Sequence, residues 1–296
     1  MRLKTVLIAA MCALLSLVPV AAVAKAPKKK KPKPMYYLAL GDSLARGAQP
    51  NAGGSTVPTK QGYANQLYKI EKKKKKLKGL KLTNLGCLGE STATMIGASG
   101  SSPICHYAAG NQLKQAVKFL KKHKGHIALV TIDIGANDID KFVNPDGSPN
   151  FACLGAGINA IKTNLPKISA ALRKAAGKKV QIIGMTYYDP FLADWFRGAS
   201  GKFYAQQSQA LAKGVNDDIT SAYNGSKIKV ADVAVTYDTY TPFSQTTTYK
   251  GTSVPVAVAQ ICNLTWMCAP APLGPNIHAN KAGYTKIAKT FRKKIR

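Results

Sequence analysis

Five short apolar runs recur along this chain, and between them apolar residues return every three or four positions. The runs at 36–40, 80–85, 127–134, 180–185 and 228–233 each read as a buried strand. The intervening spacing predicts helices over 63–76, 112–122, 158–176, 205–223 and 281–294. Leu67 and Ile70 fall on the inner face of the first helix, and Leu113, Val117 and Leu120 on that of the second. Pro166 is placed to kink the third. Strands that are apolar on both faces and alternate with helices predict a parallel sheet covered on both sides. The expected fold class is therefore α/β, a three-layer α/β/α sandwich around a central, mostly parallel, five-stranded sheet. Ligands in such sheets sit beyond the carboxyl ends of the strands.

The first 24 residues break this pattern. Arg2 and Lys4 precede a mostly apolar stretch, and Ala22-Val23-Ala24 has the small-x-small form of a cleavage site. This predicts a secretory signal peptide removed after Ala24. The stretch is short for a membrane span. Residues 25–34 form a Lys/Pro linker expected to be extended. The folded domain is expected over 35–296, with no internal repeat. Its length and the 46% hydrophobic content of the chain suffice for one α/β domain with a full core.

Charge adds a question of partners. The formal net charge is +30, much of it in runs at 28–31, 72–76 and 293–296. Such a balance favours anionic partners such as envelope polymers, lipid head groups or nucleic acid. The plainer reading is a solvated, lysine-rich surface, and it is preferred here. The lysines are not interleaved with aromatic residues, which argues against specific nucleic-acid binding. A monomer is expected.

Beyond the leader the chain has five cysteines, Cys87, Cys105, Cys153, Cys262 and Cys268. Secretion allows disulfides, and an odd count leaves at least one thiol free or paired between chains. The absence of Cys-x-x-Cys and His-Glu-x-x-His argues against a zinc site.

Candidate chemistry lies in three polar blocks. Gly41-Asp42-Ser43-Leu44 directly follows the first apolar run, Gly135-Ala136-Asn137-Asp138 follows the third, and Asn276-Ile277-His278 lies near the C-terminus. A serine hydroxyl needs a base to become a nucleophile, and histidine is the usual base. A side-chain amide or a glycine N–H can donate to a developing oxyanion, which brings in Asn137 and Gly89. Each residue alone has a plainer role: Ser43 as a helix cap, Gly89 and Asn137 as turn residues, His278 as a loop histidine. Ser43 and Asn137 both fall just past strand ends, which puts them on one rim of the sheet.

Taken together, these blocks resemble those of the SGNH hydrolases, also called the GDSL esterase/lipase family. The resemblance covers about 35–288. Gly41 to Leu44 looks like the nucleophile block, Asn84 to Ser91 the block with the oxyanion glycine at Gly89, Gly135 to Asp138 the block with the oxyanion asparagine at Asn137, and Asn276 to His278 the block with the base. Cys262 to Cys268, with Trp266-Met267-Cys268-Ala269-Pro270, is similar to secreted actinobacterial members. The Gly-x-Ser-x-Gly elbow of other serine hydrolases is missing. The resemblance implies a flavodoxin-like SGNH fold and a secreted esterase or lipase acting on small-molecule or lipid esters. Ser43 would attack the ester carbonyl, His278 would carry the proton, and Ser43 N–H, Gly89 N–H and the Asn137 amide would hold the oxyanion. It implies no metal and no organic cofactor.

Two departures from the family pattern matter. The family usually has Asp three residues before the histidine; here Pro275 stands there. The expectation is that the Pro275 carbonyl accepts from His278 Nδ1, with Asp189 as the alternative orienter. Related members also often carry a cysteine shortly after the Gly-x-Asn-Asp block, where this chain has Phe142 and Val143. By that likeness the disulfides are Cys87–Cys105 and Cys262–Cys268, with Cys153 unpaired. Two further functions stay open: a non-catalytic envelope-binding protein on an SGNH scaffold, and a carbohydrate O-acetylesterase.

Overall fold

A computed structural model describes residues 34–100, 104–139 and 151–296. The leader, the Lys/Pro linker up to Lys33, and Phe142 and Val143 lie outside the described residues.

The chain begins with β1 (Tyr36–Gly41), α1 (Ser43–Arg46), the short antiparallel pair β2 (Gln49–Pro50) and β3 (Thr56–Val57), and α2 (Tyr63–Glu71). Next come β4 (Lys81–Asn84), α3 (Thr92–Ile96), α4 (Gln112–Lys122), β5 (Ile127–Asp133) and α5 (Ala136–Ile139). Then follow α6 (Phe151–Ala176), β6 (Ile182–Met185), α7 (Gly198–Gly225), β7 (Lys229–Ala231) and α8 (Val233–Thr236). A hairpin of β8 (Thr246–Tyr249) and β9 (Thr252–Pro255) leads into α9 (Val256–Leu264), and α10 (Lys281–Lys294) closes the chain.

Five strands form one sheet in the order β4-β1-β5-β6-β7, and every neighbouring pair is parallel. Strand side chains alternate between faces, so each strand feeds two cores. Leu38, Leu40, Val130 and Ile132 point to one side, where they meet Leu120 of α4, Leu165 of α6 and Ile219 of α7. Tyr37, Ala39, Leu129 and Ile183 point to the other, against Leu67 of α2, Ile261 of α9 and Phe291 of α10. The result is the three-layer sandwich that the apolar pattern predicts.

Several elements differ from the pattern, among them α7, which starts at Gly198 and not at 205. The first long helix stops at Glu71, not Lys76, and a 3-10 turn follows at Lys75–Leu77. Consecutive lysines at 72–76 offer no apolar stripe to bury and repel one another along a helix. Helix α6 starts at Phe151 and runs through Pro166, which is exposed. Helix α9 and its preceding hairpin are absent from the expected elements, because the run 254–264 is too uniformly apolar to show a helical period.

Candidate active site

The site begins where β1 ends. Gly41 has φ +126°, and a Cβ there would lie 1.9 Å from the Asp133 carbonyl oxygen. Only glycine lets the end of β1 approach β5 this closely. Asp42 N–H donates to that same carbonyl at 3.0 Å. Asp42 then caps α1, its Oδ1 accepting from Leu44 N–H at 2.8 Å, which sets Ser43 as the first residue of the helix. Its Oδ2 accepts from Tyr187 OH at 2.6 Å.

Asp133 supports this turn from below. It is fully buried, accepts from Ala45 N–H at 3.0 Å, and accepts from Tyr63 OH. Its carboxyl also hydrogen-bonds Asp42. Burial, and next the Asp42 charge, push the Asp133 pKa well above the usual carboxylate range. Two buried carboxyls in contact do not both ionise, so the pair holds one proton between them.

His278 reaches the serine from the loop before α10. Its Nε2 lies 2.9 Å from Ser43 Oγ. Its Nδ1 lies 2.8 Å from Asn276 Oδ1, and its own backbone N–H donates to the same oxygen at 3.0 Å. A backbone N–H only donates, so the atom it meets is the amide oxygen and not the nitrogen. That oxygen in turn requires the proton on Nδ1, leaving the Nε2 lone pair to face Ser43. Asn276 Nδ2 donates to Thr56 Oγ1 at 2.9 Å, which fixes the amide plane. Burial lowers the His278 pKa to about 4, so the ring is neutral at pH 7.

The loop itself is tied down. Trp266 N–H donates to the His278 carbonyl at 3.1 Å, and Tyr188 OH donates to the Ile277 carbonyl at 2.8 Å. The Cys262–Cys268 disulfide closes the segment that carries Trp266.

Asn137 and Gly89 occupy neighbouring turns. Asn137 Nδ2 donates to the Glu90 carbonyl at 2.9 Å, which leaves its second N–H to serve a ligand. Gly89 has φ +73°, a left-handed conformation that favours glycine. Gln112, fully buried, joins this turn to the serine turn. Its Oε1 accepts from Gly41 N–H at 2.6 Å, and its Nε2 donates to the Gly41 carbonyl at 2.9 Å and to Glu90 Oε2 at 3.1 Å. Burial raises the Glu90 pKa, against hydrogen bonds from Thr94, Tyr107 and Gln112. The Cys87–Cys105 disulfide closes the loop on its outer side.

Ser43, Asn137 and His278 line one cavity of about 110 Å³. Its walls are mainly apolar, including Leu44, Ile139, Tyr187, Phe191, Leu211 and Val215. Gly89 is not among the lining residues.

A family model described as GDSL-like Lipase/Acylhydrolase matches residues 37–291, a span that contains each of these side chains. The chain belongs to this family. Solved structures share the fold of this GDSL-like lipase/acylhydrolase at low sequence identity. The extracellular lipase of Streptomyces rimosus is 17% identical with a TM-score of 0.54, covering 88% of this chain and 99% of its own. Phospholipase A1 of Streptomyces albidoflavus NA297 is 14% identical with a TM-score of 0.55, covering 88% and 100%. LAE5, an alpha/beta hydrolase enzyme from the metagenome of Lake Arreo, is 18% identical with a TM-score of 0.52, covering 88% and 94%. No curated protein sequence matches the chain.

Within this GDSL-like hydrolase the orienting group at His278 differs from the expected one. The acceptor at Nδ1 is the Asn276 side chain, not the Pro275 carbonyl. Pro275 instead lines a separate surface cavity with Met267 and Cys268. The reason is local: the Asn276 amide folds onto the next backbone turn, as asparagine does in Asx turns, and fills the Nδ1 position first. Asp189, the alternative orienter, is engaged elsewhere. Its oxygens accept from Phe191 N–H at 2.9 Å and Ser208 OH at 2.7 Å. Asn276 was visible in the sequence as part of the histidine block; its Asx-turn tendency is the signal that identifies it. Cys153 is exposed near the start of α6 and takes part in neither disulfide. Among the described residues, no group of three or more His, Cys, Asp or Glu side chains is arranged to hold a metal ion.

Proposed function

We propose that this GDSL-like lipase/acylhydrolase is a secreted serine esterase whose nucleophile is Ser43 and whose base is His278. The observation that carries the reading is the 2.9 Å contact between Ser43 Oγ and a neutral His278 Nε2 at an apolar cavity. Ser43 attacks the ester carbonyl while His278 takes its proton, and His278 then returns the proton to the leaving alcohol. Ser43 N–H, Gly89 N–H and the second Asn137 N–H hold the oxyanion. Asn276 holds the ring in the productive tautomer. No acid stabilises the imidazolium at Nδ1, so the base works from a low pKa. Water then cleaves the acyl-serine, with His278 again as the base.

The cavity favours a short acyl chain. A cavity of about 150 Å³ accommodates benzene. At about 110 Å³ this one suits an acyl group of roughly four carbons. The leader-like first 24 residues and the two disulfides support secretion.

Chromogenic esters from acetate to decanoate, given to wild type and Ser43→Ala, test the reading. It requires activity that peaks at short chains and vanishes in the variant. An inert wild type, or a variant as active as wild type, would favour the envelope-binding alternative on the same scaffold.

A further inference from the structure

A dense group of exposed cations lies at the end of the sheet opposite the active site. Turns that precede strands lie at this end by the parallel topology. Exposed Lys or Arg number five in 72–78, three in 121–126, two in 178–181, one at Lys227 and three in 293–296. These segments meet one another. Lys81 N–H donates to the Met35 carbonyl at 2.9 Å and Tyr36 N–H to the His126 carbonyl at 2.8 Å. Arg296 N–H donates to Gln181 Oε1 at 2.8 Å, and Lys229 Nζ to the Lys294 carbonyl at 3.0 Å. These segments contain no Asp or Glu, and beside them Glu71 is buried and paired with Lys74 at 2.5 Å and Arg292 at 2.9 Å. The catalytic rim is more sparsely charged: residues 85–111 and 265–280 contain no Lys or Arg, and Arg46, Arg197 and Lys250 lie close by as single cations.

A groove of about 420 Å³ opens at this basic end. Lys74, Lys75, Lys76 and Arg296 line it, above an apolar floor that includes Leu77 and Ile295. Helix dipoles account for one or two cations at each helix C-terminus. Five exposed lysines after α2 exceed that need, and their mutual repulsion costs stability unless a counter-charge relieves it.

We propose that this groove and the lysines around it bind a linear polyanion carrying repeated phosphate groups. The cations are spread over several segments, so a single small anion neutralises few of them, whereas a chain of regular charges neutralises many and releases their counterions. Lysine is a compact point charge suited to phosphate oxygens. A bilayer fits less well, since burial in its interface needs an apolar face and headgroup charge alone attracts each lysine only weakly. Among the described residues the exposed large apolar side chains are Ile70, Ile104, Phe196, Phe203, Val235 and Ile277, and Ile70 alone lies at this end. Binding here leaves the mouth of the Ser43 cavity open, so the protein is held by its base with its active site outward. The inference goes beyond the proposed esterase and does not depend on it.

The test uses sodium polyphosphate of defined chain length, with binding measured by titration calorimetry over a series of salt concentrations. Three proteins besides wild type decide the outcome. Lys75→Gln/Lys76→Gln/Arg296→Gln removes groove cations but keeps Lys74 and Arg292 on Glu71. Lys167→Gln/Lys202→Gln/Lys213→Gln removes the same charge from exposed sites on α6 and α7. Ser43→Ala separates binding from catalysis. The groove variant is expected to lose at least about ten-fold in affinity and to lower the salt slope by about two to three. The distant triple is expected to change affinity by less than about two-fold, and Ser43→Ala to bind as wild type. Equal losses in the two triple variants, no binding by wild type, or tighter binding to phosphatidylcholine vesicles with added phosphatidylglycerol at equal phosphate would overturn the proposal.

Discussion

Asn276 Oδ1 lies 2.8 Å from His278 Nδ1, the position at which a carboxylate stands in most serine hydrolase triads. An amide there is productive only with its oxygen inward; an inward NH₂ group would force the wrong tautomer. The His278 backbone N–H selects the oxygen, because it donates to it at 3.0 Å. Thr56 Oγ1 takes the amide nitrogen at 2.9 Å. Orientation is thus supplied without a negative charge, and burial leaves the His278 pKa at about 4.

Replacing Asn276 by Asp adds the missing charge. A carboxylate beside the ring favours imidazolium, so the His278 pKa rises. The acidic limb of kcat/KM is expected near pH 4 in wild type and at clearly higher pH in Asn276→Asp. Asn276→Ala removes the orienter and is expected to lower kcat by on the order of 10². A limb that stays in place in the Asp variant would count against Asn276 as the group facing Nδ1.

Asn137 is expected to act on the transition state more than on the bound ester. Asn137→Ala should lower kcat by on the order of 10²–10³ with KM nearly unchanged. A rise in KM alone would move Asn137 from oxyanion stabilisation to ground-state binding.

Asp189 makes stability depend on pH. Burial lifts its pKa from 3.8 to about 6 in the folded chain. As pH rises, the unfolded chain loses this proton first. The stability contributed by Asp189 is therefore full below 3.8 and lost as pH rises through about 6. Asp189→Asn removes that dependence. Urea unfolding at pH 4 and pH 8 should show the variant gaining about 2 kcal/mol over wild type between the two conditions. An equal difference at both pH values would show that the carboxyl is not buried as described.

On the proposed reading the cavity wall limits acyl length. Val215 is buried and lines it, so Val215→Ala deepens the cavity by two methyl groups. The kcat/KM ratio of octanoate to butyrate is expected to rise about ten-fold. An unchanged ratio would place the acyl chain elsewhere.

The sheet and the rim are legible in the sequence because each strand is a short apolar run and each polar block follows one directly. That is why Ser43 and Asn137 can be placed on one rim from the sequence alone. What joins them to His278 is less legible. Whether Nδ1 meets the Pro275 carbonyl or the Asn276 amide depends on one side-chain rotation, and both acceptors lie within three residues of the ring. The Asp42–Asp133 pair and the Gln112 bridge join residues far apart in the chain, on separate strands or a helix, where no spacing rule connects them. The early end of α2 is a matter of charge: lysine is a good helix former, but the run at 72–76 has no apolar face to bury.

The most direct measurement of the central claim is active-site labelling. The protein is incubated with a fluorophosphonate, and the modified peptide is mapped by mass spectrometry. One adduct on Ser43 is predicted, absent in Ser43→Ala and formed on the order of 10³ times more slowly in His278→Ala. A reactive wild type labelled at another residue, or labelling of Ser43 that proceeds equally fast without His278, would contradict the account.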